Sequence, residues 1–180
     1  MNPLVVLSFV FAFSELLLMF ARHSRIETTK SRKDRGSMIL IWIIITLGFI
    51  GGFYMSKPVD QFFLGAGLVL IIGGIIYRWV AIIQLGKSFT VDVAITNAAK
   101  LKTDGIYERV RHPSYLGLLL IVVGFSATMS SFYSFLVLPV PVFLAISYRI
   151  FVEEKILIEE FGESYIKYKT ETKKLIPGIY

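Results

Sequence analysis

The stretch RHPSYLGLLLIVVGFSATMSSFYSFLVLPVPVFLAISYRIFVEE, residues 111–154, decides the fold. Arg111, His112 and Pro113 stand at the lip of an apolar run over residues 114–129. Only Ser130, Ser131 and Phe132 separate it from a second run, over residues 133–148. Two apolar helices joined by so short a turn lie side by side as a hairpin. Pro139 and Pro141 each remove a backbone donor and favour a kink in the second arm. Charge returns at Arg149, Glu153 and Glu154. A helix of about 20 residues crosses the hydrocarbon, so arms this short imply local thinning or shallow placement. A membrane helix needs no charged lip. The question is whether this one is a binding site.

Of the 180 residues, 55% are hydrophobic and 18% charged, which is too apolar for an ordinary soluble domain. Three more apolar segments, over residues 3–21, 37–55 and 61–85, precede the hairpin. The expectation is an all-α integral membrane protein with five transmembrane helices plus a cytoplasmic amphipathic C-terminal helix. It forms one domain over residues 1–180, with three helices in residues 1–85 and a loop, the hairpin and the last helix in residues 86–180. The N-terminus has no positive charge before its apolar run and no small-residue cleavage site, so it reads as a retained span. The lack of cysteine excludes disulfides and thiol catalysis. With only His23 and His112, no metal site is expected, and His23 reads as an inert interfacial residue. The net charge of +6 reflects cytoplasmic loops facing anionic membrane lipids, not nucleic acid.

Basic residues set the orientation. Residues 22–36 hold six Lys/Arg, residues 86–112 hold five, and the tail after Phe151 holds five. The intervening loops hold one or none. Five spans put every basic segment on one side, with the N-terminus outside, the C-terminus cytoplasmic and the charged lip beside the tail. No internal repeat is apparent. GKS at residues 86–88 is not a phosphate-binding loop, because Ala81 stands where that loop needs its first glycine. GFIGG at residues 48–52 has the spacing that lets helices pack closely.

Glu15 and Arg78 lie inside the first and third spans, each about two turns from the cytoplasmic side. A pair between them neutralises both. It reads either as an interhelical clasp or as part of a substrate cavity. Arg149 and Glu153 are four residues apart on one helix face, about 6 Å along the axis. They are either a surface pair or a ligand grip. Beyond them Ile156, Ile158, Phe161, Tyr165 and Tyr168 form an apolar or aromatic stripe, expected on the amphipathic helix.

The blocks GIYERVRHPSYLG (105–117) and RIFVEEKILIEEFGESYIKYK (149–169), with LIPGI (175–179) after them, resemble the isoprenylcysteine carboxyl methyltransferases. The lead-in LGKSFTVDVAI (85–95) resembles bacterial members of that family, part of a wider group with the phospholipid methyltransferases. The resemblance implies S-adenosylmethionine as methyl donor, bound at the cytoplasmic edge of a membrane, here a prokaryotic plasma membrane. It implies a pocket lined by Tyr107, His112, Pro113, Ser114 and Tyr115, with backbone from Lys100, Leu101 and Lys102. It further implies that Glu153 contacts the cofactor and that Arg149 faces the acceptor as the catalytic residue. Ala98 and Ala99 stand where the family often has a polar residue, so contacts there fall to the backbone.

These residue types suit that chemistry. An aromatic face at Tyr107 or Tyr115 can meet adenine or a sulfonium. Glu153 can accept from an ammonium or ribose hydroxyls, and His112 can donate to a carboxylate. A carboxylate acceptor is already ionised near neutral pH and needs no general base. A phenol or enol acceptor would need one, with His112 or Glu154 the first candidates. The implied function is methylation of a prenylcysteine carboxylate. The alternatives are O-methylation of another long-chain lipid metabolite and an NADPH-dependent reduction of the sterol-reductase type, whose enzymes also carry Arg-His-Pro. Ser114 in place of that group's asparagine argues against the last.

Overall fold

The computed structural model describes residues 9–15, 17, 36–58, 60–86 and 101–180. Among them are a helical segment at 9–15, then α1 (Gly36–Tyr54), α2 (Gln61–Leu85), a 3-10 turn (Gly105–Glu108), α3 (Pro113–Thr128), α4 (Phe132–Val137), α5 (Pro139–Phe161) and α6 (Glu163–Glu171). Strand-like pairing among the described residues is limited to one isolated parallel bridge, Val110 to Lys173. The stretches Gly36–Tyr54, Gln61–Leu85 and Phe132–Phe161 are long and apolar enough to cross a membrane, and Pro113–Thr128 is a shorter apolar helix. Their outward faces carry Phe53, Phe62, Val69, Ile83 and Leu144, all exposed, as lipid-facing helices require.

Asp60 starts α2 by accepting from the amides of Phe62 and Phe63 at 2.9 and 3.2 Å. Helices α2 and α3 run antiparallel, with their backbones touching. A Cβ at Gly74 would lie 2.8 Å from the carbonyl of Gly117, and one at Gly124 would lie 2.7 Å from that of Gly67. Small residues permit this approach, and dispersion between backbones then holds the pair. The expected close packing at residues 48–52 is present too. Gly48 lies against Leu138 and Gly52 against Met129, and Ser134 Oγ donates to the carbonyl of Gly52 at 3.1 Å.

The hairpin forms as the sequence predicts, with Ser130 turning at φ 51°. The proline effect is sharper than a kink: α4 ends at Val137 and α5 begins at Pro139. The C-terminal part differs from expectation. Instead of ending near Tyr148, α5 continues to Phe161, so Ile156, Ile158 and Phe161 extend the membrane helix, and only Tyr165 and Tyr168 fall on the separate α6. Nothing between residues 149 and 161 breaks a helix; Gly162, at φ 52°, does. The chain end is then sewn to the lip. The amides of Arg111 and His112 donate to the carbonyls of Lys173 and Lys174 at 2.9 and 3.1 Å. Leu175 is fully buried in the core.

Candidate functional site

The 3-10 turn is held from two sides. Tyr107 Oη donates to the carbonyl of Ala81 at 3.1 Å, near the end of α2, while the Tyr107 carbonyl accepts from Tyr168 Oη of α6. The amide of Ile106 donates to Gln84 Oε1 at 3.1 Å. Burial pushes the phenols of Tyr107 and Tyr168 up, so both act as neutral donors.

His112 is next. As the residue before Pro113 it has non-helical backbone, φ −122° and ψ 59°, and occupies the N-cap of α3. Its buried ring stacks on Tyr115, with centroids 5.9 Å apart. One turn into α3, Tyr115 Oη accepts from Arg149 Nε at 3.1 Å and donates to Glu153 Oε2 at 2.8 Å. The expected Arg149 and Glu153 grouping is therefore present, with a phenol between the two. Arg149 Nη1 also donates to Ser37 Oγ at 2.6 Å, and Arg149 is 1% exposed. A guanidinium so enclosed in the middle of α5 is held in one orientation.

Glu154, the neighbour of Glu153, turns about 100° around the helix and meets different partners. Arg111 Nε donates to its Oε1 at 2.9 Å, Lys169 Nζ lies 3.1 Å from Oε2, and His112 Nε2 lies 3.5 Å from Oε1. Arg111 also donates to the carbonyls of Lys169 and Thr172. This cluster clamps α6 to α5 and the lip. Sequence reasoning reached Glu154 only as a candidate base, took Arg111 only as part of the charged lip, and did not reach Lys169. Both arginines of ERVRHP looked alike, yet Arg109 is exposed and Arg111 is largely enclosed.

Two buried polar atoms beside these carboxylates have no hydrogen-bond partner among the described residues: His112 Nε2 and Tyr165 Oη. Burial, with Glu154 and Glu153 nearby, pushes the Tyr165 phenol up. A cleft of about 650 Å³ adjoins the clamp, between Leu101, Thr103 and, in the 3-10 turn, Glu108 on one side and Lys167 and Tyr168 of α6, with Thr172 just beyond it, on the other. Of the expected site residues, His112, Pro113, Ser114, Tyr115, Arg149 and Glu153 converge at the start of α3. Tyr107 joins them through Tyr168 and α6, and Leu101 lines the cleft. Lys102 pairs with Asp104 at 2.9 Å. Lys100 lies outside the described residues.

Residues 67–159 match the Isoprenylcysteine carboxyl methyltransferase (ICMT) family. Protein-S-isoprenylcysteine O-methyltransferase B of Arabidopsis thaliana is 32% identical over 178 residues, 94% of this chain and 88% of that protein. The Schizosaccharomyces pombe protein-S-isoprenylcysteine O-methyltransferase is 38% identical over 101 residues, 55% of this chain and 43% of that one. The structure of a eukaryotic intramembrane Ras methyltransferase, ICMT, superposes with a TM-score of 0.58 at 25% identity, covering 79% of this chain and 50% of the other. The chain thus spans most of the Arabidopsis relative but about half of the other two. The matched segment contains α3, the hairpin and the Glu153–Glu154 pair, the elements that build the lip, and the chain belongs to the isoprenylcysteine carboxyl methyltransferase family.

Proposed function

We propose that this membrane protein is an S-adenosylmethionine-dependent O-methyltransferase that esterifies the carboxylate of a prenylated cysteine or similar long-chain acceptor. The observation that carries the reading is the chain Arg149–Tyr115–Glu153, with Arg149 and Tyr115 buried and Glu153 half-buried, beside the buried His112 ring and the Tyr165 Oη that has no hydrogen-bond partner among the described residues. A half-buried carboxylate, an imidazole and an unsatisfied hydroxyl side by side suit a group bearing an ammonium, a carboxylate and hydroxyls. Glu153 would take the ammonium or ribose hydroxyls, and His112 the carboxylate. Tyr107, Pro113, Ser114 and Tyr115, with the backbone at Lys100, Leu101 and Lys102, would complete the wall. When bound, S-adenosylmethionine supplies an electrophilic methyl group.

The chain's own residues then have one main task, positioning. Arg149, fixed by Tyr115 and Ser37, orients the acceptor carboxylate in line with the methyl group. No proton needs to move, because that carboxylate is ionised near neutral pH. Opposite charges are lost as the bond forms, and a dry site favours that loss. The rest of the molecule is read as one domain over residues 1–180. It has five spans, a cytoplasmic C-terminus and an outside N-terminus in a prokaryotic plasma membrane, as the basic loops favour. Calorimetric titration of the purified protein tests the cofactor. S-adenosylmethionine should bind and NADPH should not. His112→Ala and Glu153→Ala should each weaken binding by about 1.5–3 kcal/mol while the protein stays folded. Undiminished binding in both variants would remove these residues from the pocket.

A further inference from the structure

Arg78 and Glu15 have no part in that reading, yet they form an enclosed ion pair that joins two apolar helices. Arg78 Nε and Nη2 donate to the two oxygens of Glu15 at 2.7 and 3.0 Å. Their side chains are 8% and 9% exposed. Neutralising a charge in hydrocarbon explains those two bonds. It does not explain the third. Arg78 Nη1 donates at 2.9 Å to the carbonyl of Ser114, in the first turn of α3 and one residue before Tyr115. Gly117 leaves room for this. A Cβ there would fall 2.7–2.9 Å from the Arg78 Cβ, N and Cα, so α2 and α3 meet backbone to backbone where the guanidinium reaches across.

The first turn of α3 is therefore held on two sides. On one side Tyr115 joins it to Arg149 and Glu153 of α5; on the other Arg78 joins it to α2. Glu15, by gripping one edge of a planar fork, fixes where the remaining donor points. We infer that Arg78, oriented by Glu15, is a positioning residue for methyl transfer: it anchors the first turn of α3 and so sets where Tyr115 holds Arg149. This rests on the function proposed above. The competing reading is a clasp that serves stability alone.

The two readings separate on variants that keep the opposite charges but lose the third bond. Arg78→Lys retains a cation but not the three-way fork. The exchange Glu15→Arg with Arg78→Glu restores a pair, but a carboxylate at residue 78 cannot donate to the Ser114 carbonyl. A clasp is rescued by the exchange; a positioning residue is not. For variants that fold, the expected result is an unfolding temperature close to that of the parent protein and S-adenosylmethionine affinity within about threefold. Turnover should fall at least about tenfold, since a misplacement of about 1 Å can cost a hundredfold. Parental turnover would overturn the inference, as would parallel losses of stability, affinity and turnover. A second readout needs no substrate. With 3-fluorotyrosine at residue 115, the fluorine resonance should shift in Arg78→Lys, while the same label at Tyr180 stays put. An unmoved label at residue 115 would overturn the inference whatever the activity. A parent protein that binds no S-adenosylmethionine would instead defeat the proposed function and leave the fluorine label to decide the role of Arg78.

Discussion

At the scale of single residues, Arg149 carries the most specific expectation. Its Nε is committed to Tyr115 and one Nη to Ser37, so its plane is set before any acceptor arrives. Arg149→Lys keeps the charge and loses the plane. It should bind S-adenosylmethionine almost normally and lose at least about tenfold in methyl transfer, the equivalent of roughly 1.4 kcal/mol at the transition state. Single-turnover kinetics with saturating S-adenosylmethionine measure this, and unchanged transfer would leave Arg149 a structural group. The residues grouped at the start of α3 were legible because two short motifs carry them. The clamp on Glu154 was not. Arg111, Glu154 and Lys169 are separated by 43 and 15 residues in sequence, and no spacing rule brings them to one carboxylate. The intervening phenol of Tyr115 was likewise invisible, because helix geometry alone pairs Arg149 with Glu153.

At the scale of elements, the antiparallel contact of α2 with α3 supports the site. Two adjacent glycines of α2 test it. A Cβ at Gly74 would strike the Gly117 carbonyl and Ile121 at 2.8 Å, whereas one at Gly73 meets nothing within 4 Å. Gly74→Ala should therefore push the helices apart and cost about 1–3 kcal/mol. Gly73→Ala should cost nothing and can gain up to about 1 kcal/mol from helix propensity. Thermal unfolding of the two variants in the same detergent gives the comparison, and equal stabilities would contradict the packing. Hydropathy and turn chemistry made the hairpin legible, and Pro139 marked its joint. The length of α5 was misjudged because the apolar pattern stops near Tyr148 while the helix does not. Arg149, Glu153 and Glu154 are good helix formers whose partners lie on α1, α3, α6 and the lip, so polarity there reflects those partners and not a boundary.

At the scale of the whole molecule, the lip, α6 and the chain end lie at one end of the helices. The turns at Lys57 and Ser130 lie at the other, joined by the Lys57 amide donating to the Met129 carbonyl at 3.0 Å. The basic segments follow the first end, so it should face the cytoplasm. Ser56 and Thr170 are both exposed, one at each end. Cysteines introduced there should react differently with an impermeant reagent in intact cells: labelled at residue 56, protected at residue 170. The reverse pattern would invert the orientation. Sequence alone carried the membrane character and the chemistry, because composition and motif are local. It left the role of Glu15 and Arg78 open, because that depends on which backbone lies beside them. The most direct measurement is transfer of labelled methyl from S-adenosylmethionine to an S-prenylated cysteine with a free carboxylate, using the purified protein. Label should enter the lipid fraction and be released as volatile methanol by mild base, as a methyl ester requires. Label that resists base, or none transferred by a protein that binds S-adenosylmethionine, would contradict carboxyl methylation.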